Sequence, residues 1–203
     1  MISRNQDLDS PQPPELVFCF DRDYTISVNP HPEHRAVPLS WVKYLAHKSG
    51  TVDVWATGNQ LLCEEAAIAG IGEAITCWRE LALPAEIERY HEYVPPQARK
   101  PSRREGLRLI KVIYSEAYDI DISEIQFVVV DDVDLTDLES DGWIHYYPWK
   151  FVEAVENGRA PVQCLDSIEN MSDIPLIESQ CPESFPTVDY DRPKPFRFLF
   201  DDQ

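Results

Sequence analysis

The chain is short of positive charge. Across 203 residues, 18 Lys and Arg face 36 Asp and Glu, for a formal charge of −18, and only six of the bases are lysine. Such a surface repels phosphate backbones and anionic membranes at long range, which argues against non-specific nucleic-acid binding. Long apolar runs are also missing: no stretch approaches the roughly 18 residues that a membrane-spanning helix needs. The opening residues MISRNQDLDSPQPPE lack the apolar centre of a secretory signal. The expectation is a cytoplasmic protein with no membrane partner. Its five cysteines (Cys19, Cys63, Cys77, Cys164, Cys181) show no CxxC or zinc-type spacing, and are expected to be reduced thiols without a metal or redox role. The acids are scattered along the chain, not gathered in one tail. This pattern suits a halophilic, salt-accumulating cytoplasm, where ions screen self-repulsion over a Debye length of about 10 Å at 0.1 M; an ordinary acidic cytosolic protein is the plainer reading.

What the chain does have is core. Five Trp, nine Tyr and eight Phe exclude compositional disorder, and the length suits one substantial domain. Residues 1–14 read as a polar, proline-rich arm. The run Leu16-Val17-Phe18-Cys19-Phe20 has the length and composition of a strand buried on both faces. A Pro/His-rich loop follows, then a helix over Leu39–His47, a strand over Val52–Ala56 and a helix over 61–69. The stretch 71–99 is expected to hold a helix near 84–89 and a short strand near 90–94. An amphipathic helix is expected over 102–118, with Leu107, Ile110, Ile113 and Tyr114 on one face. Gln126–Val130 reads as another buried strand, 142–147 as a strand and 149–155 as a short helix. Alternating strands and helices imply an α/β, Rossmann-like domain over 15–157 with a mainly parallel sheet. From 158 to 203 the pattern gives way to an irregular tail rich in proline and acid, carrying Phe185, Tyr190 and the alternating Phe196, Phe198 and Phe200.

The candidate chemistry sits where the apolar runs stop. The first strand passes directly into Asp21-Arg22-Asp23-Tyr24-Thr25. Ligands of parallel sheets bind beyond the carboxyl ends of the strands. Two acids two residues apart there can divide the roles of nucleophile or metal ligand and acid/base. From composition, a DxDxT string arises by chance about 0.05 times in such a chain. The second strand ends in Ala56-Thr57-Gly58-Asn59, a hydroxyl and free N–H groups that suit a phosphate cradle, although a Thr-Gly turn is commonly only a turn. Lys100-Pro101 precedes the long helix. The third apolar strand ends in Asp131-Asp132, adjacent carboxylates that repel unless a cation lies between them.

These four pieces, in the order LVFCFDRDYT, VDVWAT, RKPSRREGLRLI and FVVVDDVDL, resemble the motif set of the haloacid dehalogenase superfamily over roughly residues 15–150. Receiver domains use similar residues in another order, with the acid pair first, and so fit less well. The resemblance implies that Asp21 is the nucleophile forming an aspartyl-phosphate, and that Asp23 is the general acid and then base. It also implies that Thr57 binds phosphoryl oxygens and Lys100 neutralises them. Mg²⁺ would be bound by Asp21, the backbone carbonyl of Asp23 and Asp132, with Asp131 and Asp137 in support. Asp132 is favoured because it aligns with the metal-binding acid of the family's Gly-Asp variant. Lys111, the rival lysine, reads as a mid-helix surface residue.

Asp23 also separates phosphatases from the dehalogenating branch, whose halide leaving group needs no proton. Only 31 residues lie between Thr25 and Thr57, and 42 between Thr57 and Lys100, so no large cap domain is expected. His31, His34 and Arg35 fall in the family's small flap region, where solvent exposure is the plainer reading and substrate contact the sharper one. The expected function is Mg²⁺-dependent hydrolysis of a phosphate ester, from a small molecule or a bulkier, macromolecular substrate. A phosphotransferase of the same superfamily and a non-catalytic binding module are the alternatives.

Overall fold

The structure is a computed structural model that describes residues 12–47, 52–57, 60–71, 102–157 and 159. Five parallel strands form one sheet: β1 (Leu16–Phe20), β2 (Val52–Ala56), β3 (Ala69–Gly70), β4 (Gln126–Val130) and β5 (Trp143–Tyr146), in the order β3-β2-β1-β4-β5. Four helices stand among the described residues: α1 (Leu39–His47), α2 (Gln60–Ala66), α3 (Arg103–Tyr118) and α4 (Pro148–Glu156).

Burial on both faces explains the continuous apolar runs. All five residues of β1 are buried, and their side chains alternate between two cores. Leu16, Phe18 and Phe20 join α1, α2 and α4 through Val42, Leu45, Leu62 and Phe151. Val17 and Cys19 join α3 on the other face through Leu107, Ile110 and Ile113, together with Phe127 and Trp143. A strand with helices on both sides has no polar face to alternate with. The α/β, Rossmann-like expectation therefore holds for the sheet.

Two boundaries differ from the sequence reading. The second helix, expected to run to 69, stops at Ala66. Ala67 takes a left-handed backbone (φ 53°), and Ala69–Gly70 pairs with Trp55 and Ala56 as an edge strand. A two-residue apolar strand after a helix carries no periodicity that would separate it from the helix end. The long helix begins at Arg103, with Ser102 as its N-cap in a reciprocal capping box with Glu105. Gly106 lies inside that helix because a Cβ there would collide with the Ile71 side chain. The close approach offsets the roughly 1 kcal/mol that glycine costs in a helix.

Between Thr25 and Thr57 the described residues hold only the loop, α1 and β2. The expected 84–89 helix, 90–94 strand, residues 1–11 of the arm and the tail beyond Arg159 lie outside the described residues. Among the described residues, no helix is long and apolar enough to cross a membrane.

Candidate active site

The chain winds outward from β1 to β2 and β3, then returns to the other side of β1 for β4 and β5. The strand order reverses between β1 and β4, and such a switch point opens a crevice at the carboxyl ends of the strands. Three residues cross that edge in one row. Thr57 N donates to Phe20 O (2.9 Å), Asp21 N to Val130 O (3.0 Å), and Asp131 N to Tyr146 O (3.1 Å). The ladder thus continues one residue past each strand and fixes the polar residues that replace the apolar run.

Carboxylate oxygens of Asp21, Asp131 and Asp132 all lie within 4.8 Å of one another. Asp21 and Asp131 are buried, while Asp132 is partly exposed. Burial pushes the Asp21 carboxyl above the usual range, and the Arg103 guanidinium only partly offsets it. Burial likewise raises Asp131 to about 7 against the opposing pull of Arg103 and a hydrogen bond from the Val133 N–H. Asp131 Oδ1 accepts both that bond (2.8 Å) and one from Arg103 (2.6 Å), while its Oδ2 is buried without a partner. An orphaned, buried carboxylate oxygen is costly, and a cation is what would satisfy it. Three carboxylates with oxygen-only donors suit a hard ion such as Mg²⁺ and not zinc.

Arg103 is the residue that the sequence reading missed. Its Nη2 lies 3.0 Å from Asp21 Oδ1 and its Nη1 2.6 Å from Asp131 Oδ1, so one guanidinium spans the nucleophile candidate and the acid pair. The signal was present in the capping box, which puts residue 103 on the first turn of a helix directed at the strand ends. The expected cation, Lys100, lies outside the described residues.

Thr57 is buried at the end of β2, and its Oγ1 has no partner. A hydroxyl kept dry and unbonded one strand from Asp21 is placed to bind an incoming oxygen. Asp23 is not part of the buried cluster: its side chain is 63% exposed, 4.0 Å from the Arg22 guanidinium, and its charge still acts on the Asp21 carboxyl. Arg22 itself is held by Glu65 of α2 at 3.0 and 3.3 Å. Thr25 Oγ1 accepts from Asp132 N (3.2 Å), tying the loop after β1 to the acid pair.

Asp137 and Lys111 are both engaged away from the cluster. Asp137 stands apart from the carboxylate cluster and takes two 2.8 Å bonds from Arg104. Lys111, expected on the surface, is half-buried. Its ammonium donates to the Asp141 carbonyl and lies 5.1 Å from the Phe127 ring centre. His31 and Arg35 are exposed, as the plainer reading had them, while His34 stacks on Trp149 at 3.6 Å and Arg35 pairs with Glu156 at 2.6 Å. An open hollow of about 740 Å³ lies at the opposite end of the sheet, lined by Glu15, Lys111, Ser123, Gln126 and Asp141, and shares none of the cluster's residues.

Fold and site together define a Rossmann-like α/β protein with an acid cluster at its switch point. Comparison with protein-family models, curated proteins and solved structures gives no match.

Proposed function

We propose that this protein is a Mg²⁺-dependent phosphohydrolase of the haloacid dehalogenase type, acting on a phosphate ester through an aspartyl-phosphate. The observation that carries the reading is the convergence of Asp21, Asp131 and Asp132 within 4.8 Å beside the unpartnered Thr57 hydroxyl. Carboxylates alone would repel a phosphate. With one guanidinium among them, they form a place for a cation and then for an anion.

Asp21 attacks phosphorus through a carboxylate oxygen while the ester oxygen leaves and takes a proton from Asp23. Asp23, now ionised, removes a proton from water. That water attacks the phosphorylated Asp21, freeing inorganic phosphate and restoring the carboxylate. Thr57 donates a hydrogen bond from its hydroxyl to a phosphoryl oxygen. Arg103 orients Asp21 and balances charge beside it, a role that Lys100 would share. Mg²⁺, held by Asp21, Asp132, the orphaned oxygen of Asp131 and the Asp23 carbonyl, would neutralise the developing charge. The exposure of Asp23 fits a group that meets the leaving oxygen at the mouth of the crevice.

Release of phosphate from an aryl phosphate by the full chain tests this reading. Asp21→Asn is expected to abolish turnover with an unchanged circular dichroism spectrum. Asp23→Asn is expected to slow it by about 10²–10⁴, the usual worth of a general acid/base. A wild-type rate from clean Asp21→Asn protein would remove the nucleophile.

A further inference from the structure

The large hydrophobic side chains exposed among the described residues are Tyr24, Val28, Leu61 and Val133. Each follows one of the three strand ends that carry the site. Tyr24 and Val28 follow Asp21, Leu61 follows Thr57, and Val133 follows Asp132. Hydrogen bonds join these segments into one rim. Thr25 Oγ1 accepts from Asp132 N (3.2 Å), and Arg22 reaches Glu65 on α2, one turn beyond Leu61 (3.0 Å). Asn29, next to Val28, donates to the Tyr24 carbonyl (2.8 Å).

Tyr24 supplies a second, independent observation. Its backbone is left-handed (φ 58°) and the residue is 55% exposed. A bulky residue there costs on the order of 1 kcal/mol that glycine or asparagine would avoid, and such strain persists where function uses it. Core packing does not explain the choice, since the residue belongs to neither hydrophobic core and is more than half exposed. It is the residue next to Asp23, the group to which the phosphohydrolase reading gives the leaving oxygen.

We propose that Tyr24, with Val28, Leu61 and Val133, forms an apolar collar that selects phosphate monoesters whose alcohol carries an apolar, ring-bearing body. The collar grips the part of the ester that leaves, and the acid cluster holds the part that stays. This inference rests on the phosphohydrolase reading. It extends that reading from reaction type to substrate class, and makes Tyr24 a specificity residue. Polar alcohols such as glycerol gain nothing from the collar. A planar ring stacked on Tyr24 leaves water and gains aromatic contact, which is worth roughly three- to tenfold in affinity.

The test has a kinetic and a binding arm, both on the full chain. The first compares kcat/KM for phenyl phosphate and glycerol 2-phosphate in wild type, Tyr24→Phe and Tyr24→Asn. Taking each variant's ratio against wild type cancels the intrinsic difference in leaving groups. The preference for the phenyl ester is expected to persist in Tyr24→Phe and to fall about three- to tenfold in Tyr24→Asn. Tyr24→Asn is also expected to melt higher, because asparagine tolerates the left-handed backbone, so a lost preference cannot be lost folding. The second arm measures binding of phenylphosphonate and methylphosphonate by calorimetry, with no turnover required. Phenylphosphonate is expected to bind more tightly to wild type and Tyr24→Phe, with the advantage lost in Tyr24→Asn. Equal binding of the two phosphonates by wild type, or a preference unchanged in Tyr24→Asn, overturns the collar. Phosphonate discrimination without hydrolysis of either ester overturns the phosphohydrolase reading and keeps the collar as a binding surface.

Discussion

At the scale of single residues, the site is a problem in charge. Asp21 and Asp131 are both driven above the usual carboxylate range by burial, and among the described residues Arg103 is the cation that touches both. Replacing Arg103 by Met removes one side of a partly buried ion pair and leaves two carboxylates facing each other. Stability measured by denaturant titration in EDTA is expected to drop by about 3 kcal/mol, with part of the loss recovered on adding Mg²⁺. Stability equal to wild type would show that the guanidinium does not hold the cluster. Asp132→Ala should raise the Mg²⁺ needed for half-maximal activity. Asp131→Ala should do so too, while also freeing Arg103; an unchanged requirement in both variants would remove the acid pair as the metal site. Asp21, Thr57, Asp131 and Asp132 were legible in the sequence because each follows an apolar strand and has nowhere to go but the strand end. Arg103 was not, because a basic residue on a helix is ordinary until the helix's tilt is known. Asp137, which the resemblance gives a supporting place, is taken by Arg104, a pairing that the sequence does not announce.

Among the elements, α3 does the most to place the site. Arg103, Arg104, Arg108 and Lys111 all bond to the connection between β4 and β5, at Asp131, Asp134 and Asp137, and Asp141. The helix thereby pins the segment that carries the acid pair. Its inner face adds a buried polar network: Trp55 Nε1 donates to Tyr114 Oη (2.9 Å), which donates to Asp53 Oδ2 (2.6 Å). Tyr114→Phe removes both bonds and should cost about 1–3 kcal/mol by chemical denaturation; a change under half a kcal/mol would mark the network as incidental. Burial raises the Tyr114 and Tyr118 phenols, with nearby Asp53 adding to the shift. A raised phenol holds its proton in the folded state when the unfolded chain has begun to lose its own, near pH 10. Stability from these groups is therefore intact below pH 10 and falls as pH rises above it. Ultraviolet titration should show tyrosines that ionise only as the chain unfolds; a single transition near pH 10 in folded protein would contradict this. The apolar face of α3 could be read from residues 107, 110, 113 and 114. The two-residue β3 could not, because a sheet edge that short is set by what it pairs with, not by its own pattern.

Over the whole molecule, the surplus of acid becomes the governing fact. Several of the few bases are committed to local pairs, at Arg22, Arg35, Arg103, Arg104, Arg108 and Lys150, so the acids elsewhere that make up the net −18 have few cations left to face. Screening should relieve that repulsion more than it weakens exposed ion pairs, which are worth little individually. The melting temperature is expected to rise with KCl and to level off as the Debye length falls to about 3 Å at 1 M. A flat or falling curve from low salt to 1 M would dispose of the salt-adapted reading. The parallel α/β fold was legible at this scale because buried strands have no polar alternation, and three such runs each ended in candidate chemistry. If Asp21 carries the phosphoryl group, the Asp23→Asn protein is where it can be caught. An aryl leaving group departs without a proton, but the water that clears the intermediate then lacks its base. Incubation with an aryl phosphate and Mg²⁺, followed by borohydride trapping and peptide mass spectrometry, should find one modified residue, Asp21, and none when EDTA is present. Phosphate released in step with aryl alcohol, with Asp21 unmodified throughout, would show that Asp21 does not carry it.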